Sequence, residues 1–179
     1  MVARIDYAGN GGDNDLIDPV ARLPTTTQPT TFSQGDDPPY WAGIPLNTGV
    51  FPQHAALSMA AITDGASNTY LIGEKYLDPV NCTTGSDDGD DQNAFTGLNW
   101  DNIRTAAIPG PNNTYNYQVP QQDIPSSANH WSFGSAHPGA FSMMLCDGSV
   151  RTISYSIDPE THRRLANRAD RQPIDASKF

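Results

Sequence analysis

Cysteine is nearly absent from this chain: Cys82 and Cys146 are the only two in 179 residues. That excludes a disulfide-dense scaffold and allows at most one bridge. A bridge would tie the loop around Cys82 to the segment around Cys146, while two free thiols need no such geometry, and both readings stand. Basic residues are scarce too, ten against twenty acidic, for a net charge of −10. This argues against a general binder of nucleic acid or anionic membrane. No run approaches the roughly 18 apolar residues that span a bilayer, and no signal-peptide pattern is present. Also missing are a Gly-x-Ser-x-Gly elbow, a His-Glu-x-x-His helix, a P-loop and a dinucleotide glycine pattern, so no reaction is named by motif.

What is present is glycine and proline, 15 of each, with only 17% charged residues. Such a composition, with much Asn, Ser and Thr, reads as a secreted, loop-rich β protein, and the length fits one domain over residues 1–179. The charge is lopsided: four basic and sixteen acidic residues up to Ser149, then six basic and four acidic from Val150 to Phe179. An acidic body with a mildly basic tail would give subunits a head-to-tail preference. A solvated surface is the plainer reading.

The strongest local signal is Asp147-Gly148 between two strand-like runs, Ala140 to Cys146 and Ser149 to Ile157. Asp-Gly so flanked predicts a β-hairpin. A two-residue loop would set Leu145 opposite Val150 and Met143 opposite Thr152, with most apolar weight on one face. Upstream, Val2 to Tyr7 reads as a short strand ended by Gly9-Asn-Gly-Gly12, and Gly49 to Pro52 as an edge strand. Residues 13–47 form a long Pro/Thr/Asp-rich loop anchored by Tyr40 and Trp41. His54 to Ala61 has the composition for about two helical turns with Leu57, Ala60 and Ala61 on one side, and Asp64-Gly65 turns the chain. Thr69 to Tyr76 is a strand with an apolar centre suited to burial on both faces. Ile103 to Ser132 is irregular, with one short strand around Tyr115 and Tyr117. Asp158-Pro159-Glu160 is a helix start, with Asp as N-cap and Pro in the first turn. That helix is expected to run to about Arg168 with Arg163, Arg164, Arg168 and Arg171 outward.

His137, nine residues, then Asp147-Gly148 is the spacing of a His-x9-Asp-Gly signature, and four further stretches accompany it. These are Asp6 to Gly12, Gly49-Val-Phe51, Ala61 to Lys75 and Phe133 to Gly139. With these residues the chain resembles DUF1559, a bacterial family of prepilin-like proteins, over most of its length. The resemblance implies a pilin-like head of α+β class: a short-stranded antiparallel sheet of about four to six strands, long irregular insertions and a C-terminal helix. It also implies a leader and an apolar N-terminal helix ahead of the head. Since the chain opens on Met-Val-Ala-Arg, the expectation is a soluble domain whose membrane and filament helix lay upstream. A groove left by that helix would favour weak self-association.

Candidate sites follow from residue chemistry. Glu74 ends a buried strand and needs solvent or a partner, since an unpaired buried charge costs several kcal/mol. Arg104 is the expected partner, in a stretch also similar to the family, and exposure is the alternative. Asp87, Asp88, Asp90 and Asp91 gather oxygen ligands suited to calcium, as some pseudopilins hold in a loop, but no Glu closes a calcium loop and a solvated acidic run is the simpler reading. His130, His137 and Asp147 offer either a metal set or, with Ser135, an acid–base pair. The alternative makes His137 structural, its imidazole holding the turn that leads into the hairpin.

Three functions therefore stand. One is a non-enzymatic assembly subunit, the soluble head of a type II secretion or type IV pilus-like pseudopilin in the bacterial envelope, with pilin-like subunits or secretion components as partners and a membrane link only through the upstream helix. The second is an extracellular module presenting Trp41, Tyr115 and Tyr117 to a glycan or peptide, with Trp100 and Trp131 as further exposed aromatics. The third is a metal-dependent hydrolase using the histidines.

Overall fold

A computed structural model of the chain describes residues 4–14, 31–36, 46–52, 55–95 and 97–179. Among these, the fold is α+β: a five-stranded sheet, two small two-stranded sheets and a C-terminal helix. The large sheet has the order β3-β1-β2-β8-β9. Its strands are β1 (Tyr7–Asn10), β2 (Tyr70–Glu74), β3 (Ile103–Arg104), β8 (Ala140–Leu145) and β9 (Val150–Ser154). Between them run β4 (Ala107–Pro109) paired with β5 (Tyr115–Tyr117), and β6 (Gln121–Gln122) paired with β7 (Gly134–Ser135). The expected antiparallel sheet is present with one exception, because β1 and β3 pair in parallel.

The hairpin forms around Asp147-Gly148 with a register one residue from the two-residue expectation. Met144 faces Val150 and Ser142 faces Thr152, while Leu145 N–H donates to Ser149 O at 2.8 Å and Gly148 N–H to Leu145 O at 3.0 Å. The loop is therefore three residues, a turn followed by Gly148 at φ +85°, the second commonest way to close a hairpin. Asp147 Oδ1 accepts from Ser149 N–H and Oγ. The slip leaves Phe141, Met143 and Leu145 buried and Val150 68% exposed.

Other local expectations shift for traceable reasons. β1 begins at Tyr7 and runs through Gly9 and Asn10 rather than ending there. A Cβ on Gly9 would stand 2.6 Å from the Phe51 ring, so this glycine admits a neighbour instead of turning the chain. Residues 49–51 are no strand, although Gly49 and Val50 N–H donate to Gly11 O and Asn10 O. Of the helix expected over 54–61, residue 54 lies outside the described residues, and 55–61 hold one 3-10 turn, Met59–Ala61, with no buried residue. A short helix that buries no face gains too little to form. β2 is interior as expected, though shorter than Thr69 to Tyr76.

One face of the sheet is closed by the C-terminal helix, Pro159–Ala166. Ala8, Tyr70, Phe133, Phe141, Met143, Leu145, Ile153 and Leu165 form one core cluster, each large side chain stabilising by roughly 1.5–3 kcal/mol. Asp158 caps the helix through Thr161 N–H at 2.9 Å, as the Asp-Pro-Glu start predicts. The helix stops at Ala166, short of Arg168, because Asn167 is extended and its amide turns to Asp13. Arg163 is buried rather than outward. It pairs with Asp13, Glu160 and Asp170 and lies over the Tyr115 ring. These bonds hold Glu160 down at about 2.

Candidate functional site

Successive residues of a strand point to opposite faces, so the pairings that bury Ala8, Gly73 and Met143 set their neighbours on the other side. Tyr7 opposes Glu74, Gly9 opposes Ile72, Ile72 opposes Met144, and Met144 opposes Val150. On this second face a groove of about 580 Å³ opens, lined by Ile5, Tyr7, Phe51, Ile72, Phe95 and Leu98 among others. Tyr7 is 54% and Phe95 89% exposed. Polar side-chain groups in the lining are few: the Asn102 amide donates to Gly97 O and its Oδ1 accepts from Asn99 N–H, which leaves the Tyr7 hydroxyl. A groove so poor in polar groups offers little to orient a polar small molecule and suits an apolar segment.

At the other end of β2, Glu74 stands where the ladder forks. β2 pairs with β8 as far as Gly73 opposite Met143; beyond, Lys75 bridges to Phe133 and Tyr76 N–H donates to Ser132 O. The fork leaves Ser142 N–H of β8 without a strand partner, and Glu74 Oε2 accepts it at 2.6 Å. Glu74 Oε1 lies 3.3 Å from His137 Nε2, whose side chain is 69% exposed. The expected Glu74–Arg104 pair is thus replaced by a carboxylate that closes a strand fork and meets an imidazole. The Arg104 guanidinium is taken up instead by the Ser132, Tyr76, Gly89 and Trp100 carbonyls.

The turn leading into β8 is held mainly by other groups. His137 N–H donates to Ser135 Oγ at 3.2 Å, and the Tyr155 hydroxyl donates to His137 O at 3.0 Å and contacts Ser135 Oγ at the same distance. Ser135 is therefore engaged with Tyr155, not with the His137 imidazole. Asp147 sits in the hairpin loop at the far end of β8, and His130 packs against Trp100 and Trp131. The three residues weighed as a metal or acid–base set occupy three separate places. Among the described residues no group of three or more His, Cys, Asp or Glu is arranged to hold a metal ion.

Lys75 and Arg104 explain the acidic loop. Lys75 Nζ, fully buried, donates to Gly89 O (3.0 Å), Asp90 Oδ1 (2.8 Å) and Asp101 O (2.7 Å). Arg104, also fully buried, donates to Ser132 O, Tyr76 O, Gly89 O and Trp100 O. Burial lowers the Lys75 pKa against the pull of Asp90, and brings that of Arg104 to about 10 against Asp87, Asp101 and Asp90. Asp87 spends its carboxylate on Asp78 and Gly89 N–H, while Asp88 and Asp91 remain exposed. The four aspartates weighed for calcium do not converge: Asp90 pairs with the buried Lys75, Asp87 accepts backbone N–H groups, and the solvated reading holds for Asp88 and Asp91.

The sequence profile of the family described as Protein of unknown function (DUF1559) matches residues 5–160. The chain belongs to the DUF1559 family. The matched span opens on the groove residue Ile5, contains the fork, the clamp and the hairpin, and closes in the first turn of the C-terminal helix. No curated protein and no solved structure matches this DUF1559 chain.

Of the remaining candidates, Tyr115 and Tyr117 stand side by side on β5, centroids 6.3 Å apart and 39% and 38% exposed. The Tyr117 hydroxyl donates to Glu160 at 3.0 Å. Trp41 lies outside the described residues. Trp100 and Trp131, expected as exposed, are partly buried against each other. Cys82 and Cys146 are both free thiols; burial, with Asp147 nearby, raises Cys146 to about 11. No described helix is long and apolar enough to cross a membrane. Sequence reasoning expected an apolar groove without placing it and missed the Lys75 clamp. The Gly-Glu-Lys run pointed to the clamp, since a Lys beside a Glu in a buried strand must find acceptors.

Proposed function

We propose that this DUF1559 chain is a non-enzymatic assembly subunit. It is the soluble head of a pilin-like protein of a type II secretion or type IV pilus-like system, outside the cytoplasm in the bacterial envelope. The observation that carries the reading is the apolar groove on the sheet face opposite the C-terminal helix, with Ile5, just ahead of β1, in its lining. A sheet face with a groove lined mainly by apolar side chains suits a packed helix better than a polar substrate. The family's prepilin-like character supports the same occupant, an apolar helix preceding the head or carried by a neighbouring subunit. The buried Lys75 and Arg104 clamp keeps the loop that ends in Phe95 and Leu98 against the groove's edge.

The test is a pair of groove variants, Tyr7→Asp and Phe95→Asp, made in the full-length gene. Both positions are exposed, so the head should keep its melting temperature while incorporation into envelope complexes or filaments fails. Normal incorporation of both variants would overturn the reading. A second reading rests on the Tyr115–Tyr117 pair, two adjacent rings of the kind that stack on sugars. A tryptophan- and tyrosine-fluorescence titration with oligosaccharides tests it, and Tyr117→Ala should abolish any signal.

A further inference from the structure

β9 is the last strand of the five-stranded sheet. In its ladder with β8, Leu145 N–H donates to Ser149 O and, at the other end, Tyr155 N–H donates to Gly139 O. Antiparallel alternation then turns the backbone groups of Ser149, Arg151, Ile153 and Tyr155 toward β8 and those of Val150, Thr152 and Ser154 outward. Ser154 O accepts from Ile157 N–H at 3.1 Å. The outward N–H groups of Val150, Thr152 and Ser154 meet no partner among the described residues.

Sheet edges are usually guarded by brevity, charge, proline or a bulge. The opposite edge shows this, since β3 is two residues long and Thr105 N–H is taken at once by Trp131 O. β9 has none of it. Its register with β8 is regular over five pairs, its outward residues are Val, Thr and Ser, and no proline occurs from Gly148 to Ile157. Charge also selects the occupant. Arg151 is the one charged residue between Gly148 and Ile157 in a chain of net charge −10, and it lies over its own Phe179 ring at 5.0 Å. Along this stretch two acidic copies meet with the least repulsion.

We infer that the β9 edge is an interface for a second copy of this chain, pairing antiparallel about Thr152. Thr152 then faces Thr152 of the second copy, Val150 faces Ser154, and Arg151 faces Ile153, so no like charges stand opposite each other. Main-chain bonds supply the contact, as in strand addition generally. A twofold axis normal to the sheet keeps both apolar grooves on the same side. The inference is independent of the groove reading, because Tyr7 lies on β1, separated from β9 by β2 and β8.

The experiment is amide hydrogen exchange by NMR on the intact chain from micromolar to millimolar concentration. The Val150, Thr152 and Ser154 amides should slow by roughly tenfold or more as concentration rises, and Thr152→Lys, an exposed substitution that leaves the fold intact, should cancel the effect. In a Cys82→Ser, Cys146→Ser background, Thr152→Cys should oxidise to a covalent dimer, while Tyr117→Cys should not. Exchange of the three amides at one rate across the whole range, or protection that survives Thr152→Lys, would overturn the inference whatever the groove binds.

Discussion

On one face of the five-stranded sheet Ala8, Met143, Phe141 and Ile153 lie sealed beneath the C-terminal helix; one residue along the same strands, Tyr7, Ile72, Met144 and Val150 face a side with no comparable cover. The second side mixes these apolar residues with Glu74, Ser142 and Thr152. Only the first is completed within the described chain, by Leu165, Ala166 and the buried His162, whose Nδ1 lies 3.2 Å from the Tyr70 hydroxyl. The lesson is that apolar alternation marks a surface for burial without saying what will bury it. A face that supplies its own cover serves stability, and a face that does not is available for assembly.

That contrast can be broken or sharpened by substitution. The largest effect is expected beneath the sheet's end, where Lys75→Met would leave Asp90 and two carbonyls without their ammonium, a loss of about 3–5 kcal/mol readable by urea denaturation. Next, Leu165→Ala on the closed face should cost about 2–5 kcal/mol through the cavity it leaves, seen in the same assay.

Acid should also act on the closed face. Burial holds His162 at about 3, far below an unfolded imidazole near 6.5. Its folded pKa is depressed, so the unfolded chain binds the proton first. The stability is complete above pH 6.5 and falls as pH drops from 6.5 toward 3, by about 1.4 kcal/mol per unit. Near pH 5 the deficit is about 2 kcal/mol, and a His162→Gln variant should show a flatter profile of melting temperature over that interval. Glu160 adds an acid loss only lower, between its ordinary range and about 2.

Smaller still, Glu74→Leu should cost about 1–2 kcal/mol by orphaning Ser142 N–H, whereas Glu74→Gln, which keeps an acceptor, should cost less. Smallest of all, Tyr7→Ser on the open face should stay within about 0.5 kcal/mol. Equal losses for Tyr7→Ser and Leu165→Ala in chemical denaturation would erase the distinction between the faces.

Much of the closed face was legible in the sequence. Asp147-Gly148 declared the hairpin and Asp158-Pro159-Glu160 the helix start, because turn and cap chemistry act over three or four residues. The hairpin's register was not legible, since Asp-Gly serves both a two-residue loop and the last two positions of a three-residue one. Nor was the burial of Arg163, whose partner Asp13 lies 150 residues away. Of the candidate site, Glu74 was identified as needing a partner and assigned the wrong one: side-chain alternation sets it on the face toward His137, and no local pattern reports which strands become neighbours. The acidic loop misled for a related reason. Carboxylates that answer buried cations read, in sequence, like carboxylates that await a metal.

The open face can be tested most directly by placing a photo-cross-linking amino acid at Tyr7 in the full-length protein and irradiating intact cells. The proposed assembly role predicts an adduct whose partner peptide is an apolar helical segment, from the chain's own upstream region or from a pilin-like subunit, with none from the same probe at Tyr117. An unmodified head at Tyr7, or equal labelling from both positions, would contradict it.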